Sequence, residues 1–136
     1  MNFNEQQFKV IRVLQDGIIP PSNDAPAASD LPVAEIFASI AASWDSDTFN
    51  KTATALDIIN GISLSFYNQN IWDLSADNLQ TLTNVIAENE DLRPFWVPFR
   101  ILTTLNYYGL PAAYQAIGLP GPTIDQGGLT PEGYPV

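Results

Sequence analysis

Apolar residues recur along most of the chain at the three- and four-residue spacing of helix faces. In the first segment, Asn4 followed by Gln7 is a capping-box pattern, which predicts the start of a helix. Gly17 and then Pro20 and Pro21 predict its end, and a proline-rich loop follows. The predicted buried face of this first helix consists of Phe3, Phe8, Ile11 and Leu14, flanked by Val10 and Ile18.

A second helix is predicted after this loop, with Asp30 as its N-cap and Pro32 in its first turn. Glu35 lies early in this helix, where a negative charge complements the helix dipole. The predicted apolar stripe of the second helix is Val33, Ile36, Phe37 and Ile40.

A third helix is predicted from about Thr48 to Tyr67, with Ser46 or Asp47 as its cap. Gly61 costs about 1 kcal/mol relative to alanine inside a helix, so it predicts a close-packing point or a kink. The predicted stripe consists of Phe49, Ala53, Leu56, Ile62 and one of Ile58 and Ile59.

The clearest helix signature in the chain begins at Ser75, a favourable N-cap, with Asp77 in the first turn. The predicted inner face of this fourth helix is Leu79, Leu82, Val85 and Ile86.

A fifth helical segment contains two prolines. Pro94 suits a first turn, whereas Pro98 removes a backbone hydrogen bond from a helix interior. We therefore expect the long part of this helix to begin at Pro98, or a kink there. Gly109 is the predicted terminator, and a short helical turn is expected over 111–117.

The sequence shows no internal repeat and no sustained strand alternation. It therefore predicts an all-α fold, a compact bundle of about five helices with an irregular Pro/Gly-rich C-terminal tail. The expected division is a helical domain over residues 1–117 and an extended tail over residues 118–136.

The charge balance narrows the possible functions. The formal net charge is −10, with only five lysines and arginines, so the surface repels nucleic-acid phosphates and anionic lipid head groups. There is no cysteine and no histidine, which excludes disulfides, thiolate chemistry and Ser-His-Asp triads, and nearly excludes zinc sites. No stretch approaches the roughly 18 apolar residues of a membrane span, so we expect no membrane insertion of this chain.

The remaining candidate chemistry has simpler explanations. Asp45 and Asp47 resemble the start of a calcium loop, but the glycine and acidic residue that the loop needs are missing, which favours helix capping. The carboxylate cluster Glu88, Glu90 and Asp91 has no apolar surroundings that would raise a pKa, so a solvated helix end is favoured over acid–base work. We predict no catalytic, cofactor-binding or metal-binding residue in this chain.

Aromatic residues accumulate ahead of the tail, beside Arg93 and Arg100. They predict either a core aromatic cluster with arginines whose charged ends reach solvent, or an interface, where Trp, Tyr, Phe and Arg are enriched. The segment 109–136 likewise either covers the helices of this chain or lies along a partner. An irregular segment of this length is unusual in a compact domain, and proline-rich chain is pre-ordered for docking, which favours a partner.

Two stretches carry a resemblance to a known family. "IIPPSNDAPAASDLPVAEIF", residues 18–37, is similar to that family's "IIP…D…PGA…GV..FID" stretch. "YQAIGLPGP", residues 114–122, is similar to its "W..LGYPGP" close. The chain thereby resembles the gluconate 2-dehydrogenase subunit 3 family over roughly Phe8 to Leu129, with the middle similar only in helical layout.

The resemblance implies a non-catalytic small subunit that helps a large FAD-dependent subunit to mature and stay soluble. That partner is of the glucose-methanol-choline type and oxidises sugars, sugar acids or alcohols. FAD is expected in the partner and no cofactor in this chain, and some complexes of this family add a c-type cytochrome subunit. Family members commonly carry a twin-arginine export signal, but here Lys9 and Arg12 are separated. We expect a cytoplasmic location for the chain as given, or a periplasmic one if such a signal was removed or lies on a partner.

From the aromatic strip and the tail we predict nine partner-interface residues: Trp96, Phe99, Arg100, Tyr107, Tyr108, Tyr114, Ile117, Leu119 and Ile124. The alternative is a stand-alone helical binding or homo-oligomerising domain whose tail packs on itself. Trimming residues 118–136 distinguishes the two. The alternative predicts a lower thermal stability of this chain alone, whereas the first hypothesis predicts an intact fold and lost association.

Overall fold

A computed structural model describes residues 2–19 and 25–110 of the chain. Within these ranges it contains five α-helices and no strand, which confirms the predicted all-α bundle. The helices are α1 (Glu5–Ile18), α2 (Val33–Ala41), α3 (Ser46–Tyr67), α4 (Ala76–Glu88) and α5 (Arg93–Tyr108). Short 3₁₀ turns occur at Ala28–Asp30, Ile71–Asp73 and Glu90–Leu92. The predicted turn over 111–117, the domain boundary at 117/118 and the tail lie outside the described residues.

Polar side chains start three of the helices. At α1 the predicted capping box is present: the Gln7 N–H donates to Asn4 Oδ1 at 2.7 Å, and the Asn4 N–H donates to Gln7 Oε1 at 3.0 Å. Ser75 caps α4 as predicted, accepting from the Asn78 N–H at 3.2 Å. The cap of α3 is Asp45, one residue before the predicted Ser46.

Two predicted helix starts are wrong. Asp30 does not cap α2, because it lies in the preceding 3₁₀ turn, where its carboxylate accepts from the Ala27 N–H at 3.1 Å. Helix α5 begins at Arg93 and runs through Pro98, so the predicted start at Pro98 is wrong, and the alternative of a kink there stays a prediction. Pro98 has no backbone N–H, so the carbonyl of Pro94 lacks its helical hydrogen bond. Both residues are exposed, so water can reach that carbonyl. Burial of apolar side chains on the opposite face of α5 offsets the loss of this backbone hydrogen bond.

Two glycines have roles other than those predicted. Gly17 lies inside α1, which ends at Ile18, and it is buried where α1 meets α4. Gly61 is not a close-packing point, because a β-carbon built on it would meet no neighbouring side chain or other helix within 4 Å, and α3 continues through it. Of the two alternatives for the α3 stripe, Ile59 is the buried one and Ile58 is 49% exposed, and the predicted α4 stripe residue Val85 is instead 38% exposed.

The core lies around α1, which packs against each of the other four helices. Ile11 and Leu14 of α1 are fully buried there. Each surrounding helix contributes at least one large buried side chain to the same cluster, and examples are Phe37, Leu56, Leu82 and Phe99. Within residues 2–19 and 25–110, α5 packs on this cluster with one face, and its other face is exposed.

Candidate partner-binding surface

The inner face of α5 is an aromatic cluster in the core of this chain. The rings of Phe95 and Phe99 stack with centroids 5.0 Å apart, and Phe99 meets Phe37 of α2 edge-on at 5.0 Å. Trp96 packs beside Phe99 at 6.3 Å and is 5% exposed. Of the two interpretations left open by the sequence, the structure of the chain alone shows the core cluster for these residues.

Tyr107 belongs to a second, smaller cluster at the end of α5. Its side chain is 1% exposed and packs with Ala28 and Val33, and its hydroxyl donates to the Pro26 carbonyl. Burial raises the pKa of Tyr107 above its usual value of 10.0, and the nearby Tyr108 and Asp30 raise it further by smaller amounts. Tyr107 therefore anchors α5 to the segment that precedes α2.

Three of the nine predicted interface residues are thus buried within this chain: Trp96, Phe99 and Tyr107. Their side chains lie on the inner face of α5 and are buried in the chain alone. Arg100 and Tyr108 are exposed. Tyr114, Ile117, Leu119 and Ile124 lie outside the described residues. Contact of any of the nine with a partner stays a prediction.

The outer face of α5 presents an apolar stripe formed by Pro94, Pro98, Ile101, Leu105 and Tyr108. These positions are spaced by four, three, four and three residues, so they lie along one side of the helix. All five are exposed; Ile101 is 46% and Leu105 64% accessible. We call these five residues the α5 stripe. Ile101 and Leu105 are not among the residues predicted from the sequence, although their spacing is visible there.

The apolar surface continues from the α5 stripe onto α3. Pro94 and the edge of Phe95 line a groove of about 490 Å³, whose opposite wall includes Ile58 and Thr54 of α3. Ile58, which the sequence analysis offered as a core residue, is instead half-exposed beside this groove. The groove adjoins the α5 stripe at Pro94, and charged side chains of α3 and of the 3₁₀ turn before α5 also line it. Contiguous patches of this kind mark binding surfaces more often than isolated exposed residues do.

A second, more polar cleft borders α5 on another side. It has a volume of about 410 Å³ and lies between the end of α1, α4 and α5. Arg93 and Arg100 line it together with Trp96 and Val97. The two arginines are both exposed and lie two turns apart on α5, as their spacing of seven residues predicts.

The acidic side chains that the sequence offers as candidate metal or acid–base groups lie within residues 2–19 and 25–110. No group of three or more acidic side chains placed to hold a metal ion occurs there. Asp45 serves as the α3 cap: its carboxylate accepts from the Thr48 N–H at 3.0 Å and from the Thr48 hydroxyl at 2.8 Å. These bonds lower the pKa of Asp45, as expected for a capping carboxylate. Asp47 pairs with Lys51 at 3.1 Å.

The helices of the described residues include none that is long and apolar enough to cross a membrane. Fold and surface together define a small helical domain with an exposed apolar helix face. The sequence profile of a family described as Gluconate 2-dehydrogenase subunit 3 matches residues 5–121, and the chain belongs to this family. The family name implies a subunit of gluconate 2-dehydrogenase. Among curated proteins and solved structures, none matches the chain significantly.

Proposed function

We propose that this chain is a non-catalytic small subunit that binds, stabilises and helps mature a large FAD-dependent dehydrogenase subunit. That partner oxidises sugars, sugar acids or alcohols, and it carries the FAD. Membership of a family named for a dehydrogenase subunit supports association with other subunits. The observation that carries the proposal is the α5 stripe, an apolar helix face left uncovered in the described part of the chain.

The size of the exposed side chains supports a docking role. Fully burying a leucine or isoleucine side chain stabilises a complex by about 1.5–3 kcal/mol, before the costs of association are subtracted. Ile101 and Leu105 lie one turn apart near the middle of the stripe, so both can enter one groove of a partner. A stable interface needs about 1,600 Å² in total, so the stripe and the adjoining groove beside Ile58 would serve as its centre, with other surfaces completing it.

Co-expression tests the proposal directly. The chain is produced with the FAD-dependent dehydrogenase subunit of the same organism, and association is measured by co-purification and by the FAD content and solubility of the large subunit. We expect Ile101→Ser/Leu105→Ser to abolish co-purification and to lower the yield of soluble, FAD-loaded partner. The matched control is Leu64→Ser on α3, which removes an apolar side chain that is 45% exposed, close to the 46% of Ile101.

Two results would contradict the proposal. The first is a large subunit that is equally soluble, active and FAD-loaded without this chain. The second is a chain that forms only homodimers in sedimentation experiments, with dimers lost in Ile101→Ser/Leu105→Ser. That second result would support the alternative of a stand-alone oligomerising domain.

A further inference from the structure

The cleft between α4 and α5 concentrates positive charge on a chain whose net charge is −10. Arg93 and Arg100 lie on its α5 wall, and none of the residues that line it is acidic. Within the described ranges, neither arginine forms an ion pair. The cleft therefore has the opposite sign of charge to the molecule as a whole.

The other three cations of the chain are already engaged. Arg12 pairs with Glu35 at 3.4 Å and donates to the Ser29 carbonyl at 2.8 Å. Lys51 pairs with Asp47 at 3.1 Å, and the Lys9 ammonium lies 5.2 Å from the centroid of the Trp72 ring. Arg93 and Arg100 thus supply the positive charge that is left for an external partner in the described residues.

The walls of the cleft suit a carboxylate. Trp96, which is 5% exposed, and Val97 make the surface between the two arginines apolar, and a charge interaction is stronger beside such a surface than in open water. The side-chain amides of Gln80 and Asn84 on α4 add hydrogen-bonding groups to the opposite wall. An arginine guanidinium binds a carboxylate through two parallel hydrogen bonds, which gives directional recognition.

We propose that this cleft receives a carboxylate side chain of the dehydrogenase partner, held by Arg93 and Arg100. The inference rests on the proposed function. It follows from the position of the arginines, since each directly precedes a residue of the α5 stripe: Arg93 precedes Pro94, and Arg100 precedes Ile101. A partner that covers the stripe can therefore reach the neighbouring arginine side of the same helix. The occupant is an aspartate or glutamate at the edge of the partner's apolar patch.

Such a pair has a defined role in association. Charge pairs at the edge of an interface raise the association rate and make it sensitive to salt. On this chain they also reverse the local field, because the surface as a whole is acidic and repels a carboxylate except where it is locally positive. The arginine cleft therefore sets the orientation of docking, and the α5 stripe supplies the buried apolar area.

The test compares two double substitutions that change the net charge equally. Arg93→Gln/Arg100→Gln removes the positive charge of the cleft, and Lys9→Gln/Arg12→Gln is the matched control, because these two side chains line neither the cleft nor the groove beside Ile58. The dissociation constant of the complex with the FAD-dependent dehydrogenase subunit is measured at several NaCl concentrations between low and physiological salt. We expect the cleft variant to bind roughly tenfold or more weakly at low salt and to lose much of the salt dependence. The control stays within about twofold of wild type, as expected for exposed charges outside the contact.

Other outcomes of these experiments distinguish failure of this inference from failure of the proposed function. A cleft variant that binds as tightly as wild type, with the same salt dependence, overturns the inference and leaves the proposed function intact. No association of the wild-type chain overturns both. In a third arm, the isolated chain is melted in sodium gluconate and in NaCl of equal ionic strength. If gluconate stabilises the wild-type chain but not the cleft variant, the cleft binds a free carboxylate. That result would contradict the inference that a partner side chain occupies the cleft.

Discussion

Gly17 of α1 lies against Thr83 of α4 so closely that no β-carbon fits between them. A β-carbon built on Gly17 would overlap with Thr83 Oγ1 and lie 3.3 Å from Thr83 Cβ. The Thr83 hydroxyl is fixed in place because it donates to the Leu79 carbonyl at 2.8 Å. This contact explains why a residue that weakens helices is buried inside α1 rather than ending it.

We therefore expect Gly17→Ala to destabilise the chain. Overpacking costs about 1–3 kcal/mol, and the better helix propensity of alanine recovers at most about 1 kcal/mol of it. Urea unfolding of the isolated chain measures the difference. The companion variant Gly17→Ala/Thr83→Ala removes the overlapping atoms and should be more stable than Gly17→Ala alone. An alanine variant as stable as wild type would show that α1 and α4 can move apart freely.

The sequence predicted the helices well where polar caps start them, and poorly where packing decides. Asn4 and Ser75 start their helices through local side-chain bonds, which are visible within four residues of sequence. Pro98 was misjudged because its local cost is outweighed by the burial of Phe95 and Phe99 on the other side of the same helix. That burial depends on α2, more than fifty residues earlier in the chain.

Of the predicted interface residues on α5, some lie on its buried face and some on its exposed face. Composition identified an aromatic, arginine-bearing segment, and Trp96 and Phe99 are enriched types at interfaces and in cores alike. Only the packing of α5 on α1 and α2 shows that these two side chains face inward. The stripe through Ile101 and Leu105 shares the heptad spacing of coiled coils, but spacing alone does not tell which of two apolar faces is covered.

Titration of Tyr107 is expected to lower the stability of the folded chain at high pH. Its pKa is raised, so the folded state retains the phenol proton at pH values where the unfolded state has begun to lose it. The stabilising contribution of Tyr107 is therefore complete below the unfolded pKa of 10.0 and is lost as pH rises through the higher folded value. Tyr107→Phe removes this titration and also the hydrogen bond to the Pro26 carbonyl, which costs about 1–2 kcal/mol near pH 7. Urea unfolding across pH 8–11 should show the two proteins converging as pH rises. A constant difference across this range would contradict the prediction.

Asp45 gives the chain an acid-sensitive helix start. Its pKa is lowered by the backbone and hydroxyl bonds from Thr48, so its contribution to stability is present above the unfolded value of 3.8 and declines as pH falls through the folded one. Asparagine retains a side-chain acceptor for the Thr48 N–H but does not titrate. We expect Asp45→Asn to remain close to wild type near pH 7 and to lose less stability below pH 4. Thermal melts at the two pH values measure this, and equal acid sensitivity of the two proteins would argue against the cap as its source.

The two faces of α5 can be told apart without any partner. Phe99 is 1% exposed and contacts rings from α2 and α5, so Phe99→Ala should cost about 3–5 kcal/mol in the free energy of unfolding of the isolated chain. Leu105 is 64% exposed, so Leu105→Ala should change that free energy by no more than about 0.5 kcal/mol. Chemical unfolding measures both values, and binding to the dehydrogenase subunit is then compared at a temperature where both variants are folded. If Leu105→Ala destabilises the isolated chain as strongly as Phe99→Ala, the outer face of α5 is already covered by this chain and is not free to bind the partner.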